Sequence, residues 1–192
     1  PSEPQQTTPR FKEVKAAVPL DALYKCWHMY ARMDDRYYAC DLISDLLSGG
    51  GSSRLFQSLV KEKQLFSNID CYHFGSTDAG LMTIEGKLVK GVDIKVAEAA
   101  VLEELKKIQA DGITDVELEK VKNKAESAMA FEDMGLMNRA SSIAMYELLG
   151  DANLINTELA KYQAVTAAQI KEQCNVIFNE NNCSTMYYLS ND

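Results

Sequence analysis

The chain has 192 residues, 46% of them hydrophobic, with a formal net charge of −8 and two histidines. That is enough apolar material for one domain with its own core, without disulfide or metal staples. The acidic balance, with no cluster of Lys and Arg, argues against nucleic acid or anionic lipid as a partner, and no apolar run approaches the roughly 20 residues that insert across a membrane.

The chain opens at Pro1 without Met, and the polar stretch Pro1 to Pro9 reads as a linker cut from something longer, leaving residues 10–192 as a single domain. Phe11 to Val18 is a plausible strand, and Leu23 to Tyr30, rich in aromatics and bounded by Pro19 and Asp34-Asp35, is a stronger one. After Asp35, a candidate N-cap, Ala39, Leu42, Ile43, Leu46 and Leu47 fall at i, i+3, i+4, i+7 and i+8, which predicts an amphipathic helix ended by Gly49-Gly50-Gly51.

Ser52 or Ser53 is placed to cap a second helix carrying Leu55, Leu59 and Val60. Ile69 to Phe74 and Leu81 to Leu88 then alternate like the strands of a hairpin turning through Gly75 to Gly80. From Asp93, the spacing of Ala97, Ala100, Val101, Leu105 and Ile108 predicts a third helix stopping at Asp111-Gly112.

The next helix start carries two local signals at once. Thr114 and Glu117 form a capping box while Ile113 and Leu118 form a hydrophobic staple, and the device recurs with Thr166, Gln169, Val165 and Ile170. Leu118, Val121, Ala125, Ala128 and Met129 continue the first of these helices, Met137 to Leu149 makes another before Gly150-Asp151, and Ser184 to Leu189 closes the chain as a strand. This order predicts an α+β two-layer domain, a mainly antiparallel sheet with helices packed on one face, in preference to βαβ units.

Chemistry is sparse. A zinc peptidase needs at least two imidazoles or equivalent ligands on one ion plus a carboxylate for the water. Here His28 and His73 stand alone, with no His-x-x-Glu-His or His-Glu-x-x-His, and read as structural. The five cysteines (Cys26, Cys40, Cys71, Cys174, Cys183) are scattered and read as buried thiols. No catalytic and no metal residue is assigned.

Gly49 to Ser53 reads first as helix termination and recapping, with a peptide-contacting loop as the alternative. Arg139 and Tyr146, seven apart, share one helix face and can together hydrogen-bond a carbonyl, but such a pair arises readily by chance and packing with surface solvation is the favoured explanation. Met129, Met134, Met137 and Met145 with Phe131 read as adaptable core, and Glu103-Glu104 with Lys106-Lys107 as a solvated face.

The run Asp45-Leu-Leu-Ser-Gly-Gly-Gly-Ser-Ser-Arg-Leu-Phe-Gln57, then Leu59-Val-Lys-Glu-Lys63, Asp78-Ala-Gly-Leu81 and Gly112-Ile-Thr-Asp-Val-Glu-Leu-Glu-Lys-Val-Lys122, resembles the zinc-free second half of insulinase (pitrilysin) family peptidases over nearly the whole chain. The resemblance implies an α+β domain that walls a peptide chamber and holds no cofactor itself. Zinc is expected in an N-terminal half, or a partner subunit, carrying His-x-x-Glu-His. The two halves of such enzymes close like a clamshell on peptide substrates.

A soluble protein of the bacterial periplasm or cytoplasm fits this reading, and a non-catalytic binding or assembly subunit is the alternative. In active relatives the zinc-free half often supplies an Arg and, seven residues on, a Tyr that hold substrate near the zinc. An ungapped alignment on Leu-Phe-Gln puts Val60 and Ser67 at those positions, which implies a lost pair. The glycine segment of processing-peptidase relatives that touches substrate corresponds to Gly49, Gly50, Gly51, Ser52 and Ser53.

Overall fold

A computed structural model describes residues 4–75, 77–132 and 134–191. Five strands, β1 (Arg10–Ala16), β2 (Ala22–Met29), β3 (Phe66–Phe74), β4 (Gly80–Leu88) and β5 (Cys183–Ser190), form one sheet in the order β1-β5-β2-β4-β3. The β3–β4 hairpin lies where the alternation predicts it, with β3 starting three residues earlier and irregular between Phe66 and Asn68; Ser76 of its turn lies outside the described residues. All pairings are antiparallel except β1 with β5, which run parallel, Arg10 beside Ser184 and Ala16 beside Ser190.

One face of the sheet is the core. Leu23, Lys25, Trp27 and Met29 of β2 and Met82, Ile84 and Leu88 of β4 are buried, under helices α1 (Tyr37–Ser48), α2 (Ile94–Asp111) and α6 (Ala167–Ile177). The other set of β2 side chains, Tyr24, Cys26 and His28, is half-exposed. Gly86 is required by packing, since a Cβ there would meet the Phe66 ring at 2.6 Å. Lys25 is buried on the core side, its Nζ donating to Glu98 Oε1 (2.5 Å) and Thr185 Oγ1 (2.7 Å), so the charge is paired and hydrogen-bonded as burial demands.

The α1 stripe is buried as its spacing predicts: Ala39, Leu42, Ile43, Leu46 and Leu47 are all 4% exposed or less. Its entry differs from expectation. Asp35 makes no cap; Asp34 Oδ1 instead accepts the Arg36 N–H at 2.9 Å and its carboxylate takes the Arg36 guanidinium.

The next helical segment, Phe56–Glu62, is π-helical and uncapped, so neither Ser52 nor Ser53 plays the expected role. The capping boxes at Thr114/Glu117 and Thr166/Gln169 close in both directions, each helix N–H reaching its hydroxyl at 3.2 Å. They start α3 (Asp115–Glu132) and α6.

Three expectations fail for physical reasons. Glu104 is not solvated but buried, holding Ser58 Oγ and Lys107 Nζ at 2.7 Å each. The opening segment is not a free linker throughout: Gln6 is buried and its amide donates to Cys183 O at 2.8 Å, docking it on β5, while residues 1–3 lie outside the described residues.

The third concerns the Met-rich stretch. Phe131, Met134, Met137 and Met145 are exposed, and only Met129 packs against the core. They belong to the end of α3, the turn after it and helix α4 (Leu136–Leu148), which has no buried residue. A 3-10 turn (Ala152–Asn156) and a short helix α5 (Glu158–Ala164), absent from the sequence reading, lead from α4 back to α1 and α3.

Candidate functional site

Gly49 to Ser53 form a tight turn pinned against α3. Gly49 N donates to Asp45 O at 2.7 Å and Ser53 N to Gly50 O at 3.0 Å. Lys120 Nζ donates to Ser52 O at 3.0 Å, Lys124 pairs with Asp45 at 2.6 Å, and Arg54 grips both Glu117 oxygens at 2.7 and 2.9 Å. Gly50 has φ +120°, a left-handed backbone that suits glycine, and a Cβ at Gly50 or Gly51 would meet only open space. The turn thus offers two exposed glycines on a fixed base.

Val60 and Ser67 lie on two neighbouring elements. Val60 sits in the π-helical segment, half-buried against the core, whereas Ser67 is exposed on β3 with its hydroxyl donating to Lys87 O at 3.1 Å. An Arg and a Tyr with the seven-residue interval do occur on one element, at Arg139 and Tyr146 of α4. Seven residues bring a helix almost twice around, so the two side chains leave its axis only about 20° apart. Arg139 is exposed and Tyr146 half-buried.

Tyr146 opens onto a groove of about 290 Å³ bounded by the end of α3, by α4 and by the loop after β2, with Arg32, Glu132, Ser141 and Ser142 among its walls. Beneath it lies a polar network. Arg32 pairs with Glu158 of α5 and rests over the rings of Tyr37 and Tyr38, 4.6 and 5.6 Å from their centres, and Tyr38 Oη donates to Glu158 Oε2 at 3.1 Å. Beside it, Asp41 holds His73 Nε2 at 2.8 Å on one oxygen and the Tyr162 hydroxyl on the other.

Burial alone would raise the Asp41 carboxyl, but hydrogen bonds from His73 and Tyr162 and the nearby Arg32 charge hold it below the usual range. Burial first, then the Glu158 charge, pushes the Tyr146 phenol up to about 12, so it is a hydrogen-bond donor at neutral pH. This network was not legible in the sequence: its members come from β2's exit, α1, β3 and the overlooked α5, and no local spacing links them.

The two histidines lie on opposite faces of the sheet, His73 beside buried Met82 and His28 beside exposed Leu81, so they cannot share an ion. Among the described residues no group of three or more His, Cys, Asp or Glu is arranged to hold a metal. Among the described residues no helix is long and apolar enough to cross a membrane.

One five-stranded sheet under a helical layer defines the class, an α+β two-layer domain. The model of the peptidase M16 inactive domain matches residues 1–125, and the chain belongs to that family. It is 26% identical over 147 residues to the Bacillus subtilis zinc protease YmxG, covering 76% of this chain but 36% of that one.

A protease from Helicobacter pylori has the same fold with a TM-score of 0.91 at 20% identity, over 96% of this chain and 45% of the other. The inactive peptidase domain of a Bordetella parapertussis zinc protease matches with a TM-score of 0.81 at 18% identity, over 92% of this chain and 94% of its own. The chain therefore spans less than half the length of the Bacillus and Helicobacter proteins and nearly all of a separately solved inactive domain.

Proposed function

We propose that this chain is the C-terminal, metal-free wall of the substrate chamber of a zinc-dependent metalloendopeptidase that cleaves peptides. The zinc belongs to an N-terminal half or partner subunit with a His-x-x-Glu-His motif. The observation that supports this reading most is α4, which carries Arg139 and Tyr146 seven residues apart on one helix side, with Tyr146 lining the groove.

A guanidinium and a neutral phenol on one helix side can both donate to a peptide carbonyl offered from the companion half. Donors placed where negative charge develops lower the barrier most. On this reading Arg139 and Tyr146, not the Val60 and Ser67 positions, are the substrate-holding pair. Gly50 and Gly51, exposed on their pinned base, are secondary backbone contacts to the peptide, with Gly49, Ser52 and Ser53 holding the turn.

In the complete protein, Arg139→Ala and Tyr146→Phe should each lower kcat/KM for peptide cleavage by about 100-fold, the range seen when one transition-state donor is removed. Zinc content should not change. Unaltered cleavage in both variants would remove the pair from the mechanism, and a complete protein with neither zinc nor cleavage would favour an assembly subunit instead.

A further inference from the structure

Helix α4 is amphipathic in an unusual direction. Leu136, Met137, Ala140, Ile143, Ala144 and Leu148 recur at i, i+1, i+4, i+7, i+8 and i+12, the stripe by which a helix normally sits on its core. Here that stripe points away from the core: Leu136 is 87%, Met137 77% and Leu148 74% exposed, and both alanines are exposed. The opposite side, with Ser142, Tyr146 and Leu149, is the half-buried one. Phe131 and Met134, 72% and 78% exposed, add apolar surface at the end of α3 and in the turn before α4.

An isolated helix of this length is marginal in water, and its stability normally comes from burying such a stripe. Large exposed apolar patches mark interaction surfaces. We infer that the outward stripe of α4, with Phe131 and Met134, is the docking surface for the companion half of the same enzyme, an apolar and weakly charged face that covers it in the complete protein. This rests on the proposed two-half reading and adds to it the contact surface.

Length argues for that occupant, because the Bacillus and Helicobacter proteins carry more than half their chains outside the region matched here. Charge argues against a second copy. Each copy would bring a net charge of −8, and Glu126, Glu132 and Glu147 lie on the two helices that carry the patch. The stripe itself has one acid, Glu147, and Arg139 flanks it without an ion pair among the described residues.

The test is amide hydrogen exchange of residues 136–148 in this chain alone and in the complete protein, each as wild type and as the Leu136→Ser, Leu148→Ser double variant. Both leucines are exposed, so the isolated domain should fold normally, with α1 and β2 exchange as the internal control. Exchange in α4 should be at least about tenfold slower in the complete wild-type protein, and the double variant should lose that slowing.

Equal exchange in the chain alone and in the complete protein overturns the inference. So does a chain that sediments as a dimer with α4 protected, or protection that appears only when an unstructured apolar peptide is added. Zinc content and cleavage of the same preparations separate the two claims. A metal-free, inactive complete protein with α4 protected refutes the peptidase reading and keeps the surface; an active zinc protein with α4 unprotected does the reverse.

Discussion

Helices α1 and α4 have nearly the same length and the same kind of apolar stripe, yet opposite fates. In α1 every stripe residue is 4% exposed or less, whereas in α4 every stripe residue is exposed. Periodicity specifies that a helix has a face to bury; it does not specify whose surface buries it. The first stripe is buried within this chain, and the second is the surface inferred to receive the companion half.

The largest expected effect lies on the α1 side of that contrast. Leu46→Ala removes a fully buried side chain between the helix and the sheet and should cost about 3 kcal/mol, read as a shifted denaturant midpoint with an unchanged m-value. The same loss from Leu148→Ser in the isolated chain would erase the contrast, because that leucine is 74% exposed. That substitution should move stability by no more than about 0.5 kcal/mol.

Between these extremes sits the clamp that ties the glycine turn to α3. Hydrogen bonds from Arg54 lower the Glu117 carboxyl to about 2, with Thr114 adding to the shift. Because the folded-state value is depressed, the stabilisation is complete above the unfolded value of about 4.3 and is lost as pH falls from there toward 2. Solvent screening keeps it to the order of 1 kcal/mol. Glu117→Gln should therefore flatten the acid limb of a stability-versus-pH curve, and an unchanged limb would show that the clamp contributes nothing.

What the sequence disclosed followed the range of the interactions involved. The α1 stripe and both capping boxes are set by residues within a few positions of each other, and all were legible. The parallel pairing of β1 with β5 joins the two ends of the chain, and alternation within a strand says nothing about such a neighbour. The Arg32–Glu158 and Asp41–His73 pairs were hidden for the same reason.

The Met-rich stretch misled differently. Phe131, Met134, Met137 and Met145 have the composition of a core and were assigned to one, but this domain does not provide it. The pair at Arg139 and Tyr146 was visible as a seven-residue interval on one helix, whereas the ungapped alignment pointed to Val60 and Ser67, on the π-helical segment and on β3.

On the proposed division of labour, this half holds no metal and its companion holds the zinc. Metal analysis of the chain purified alone, beside the complete protein, tests it most directly. The expected result is no stoichiometric zinc in the chain and about one tightly held zinc in the complete protein, the complement of a single catalytic site. One zinc bound tightly by the isolated chain would contradict the account.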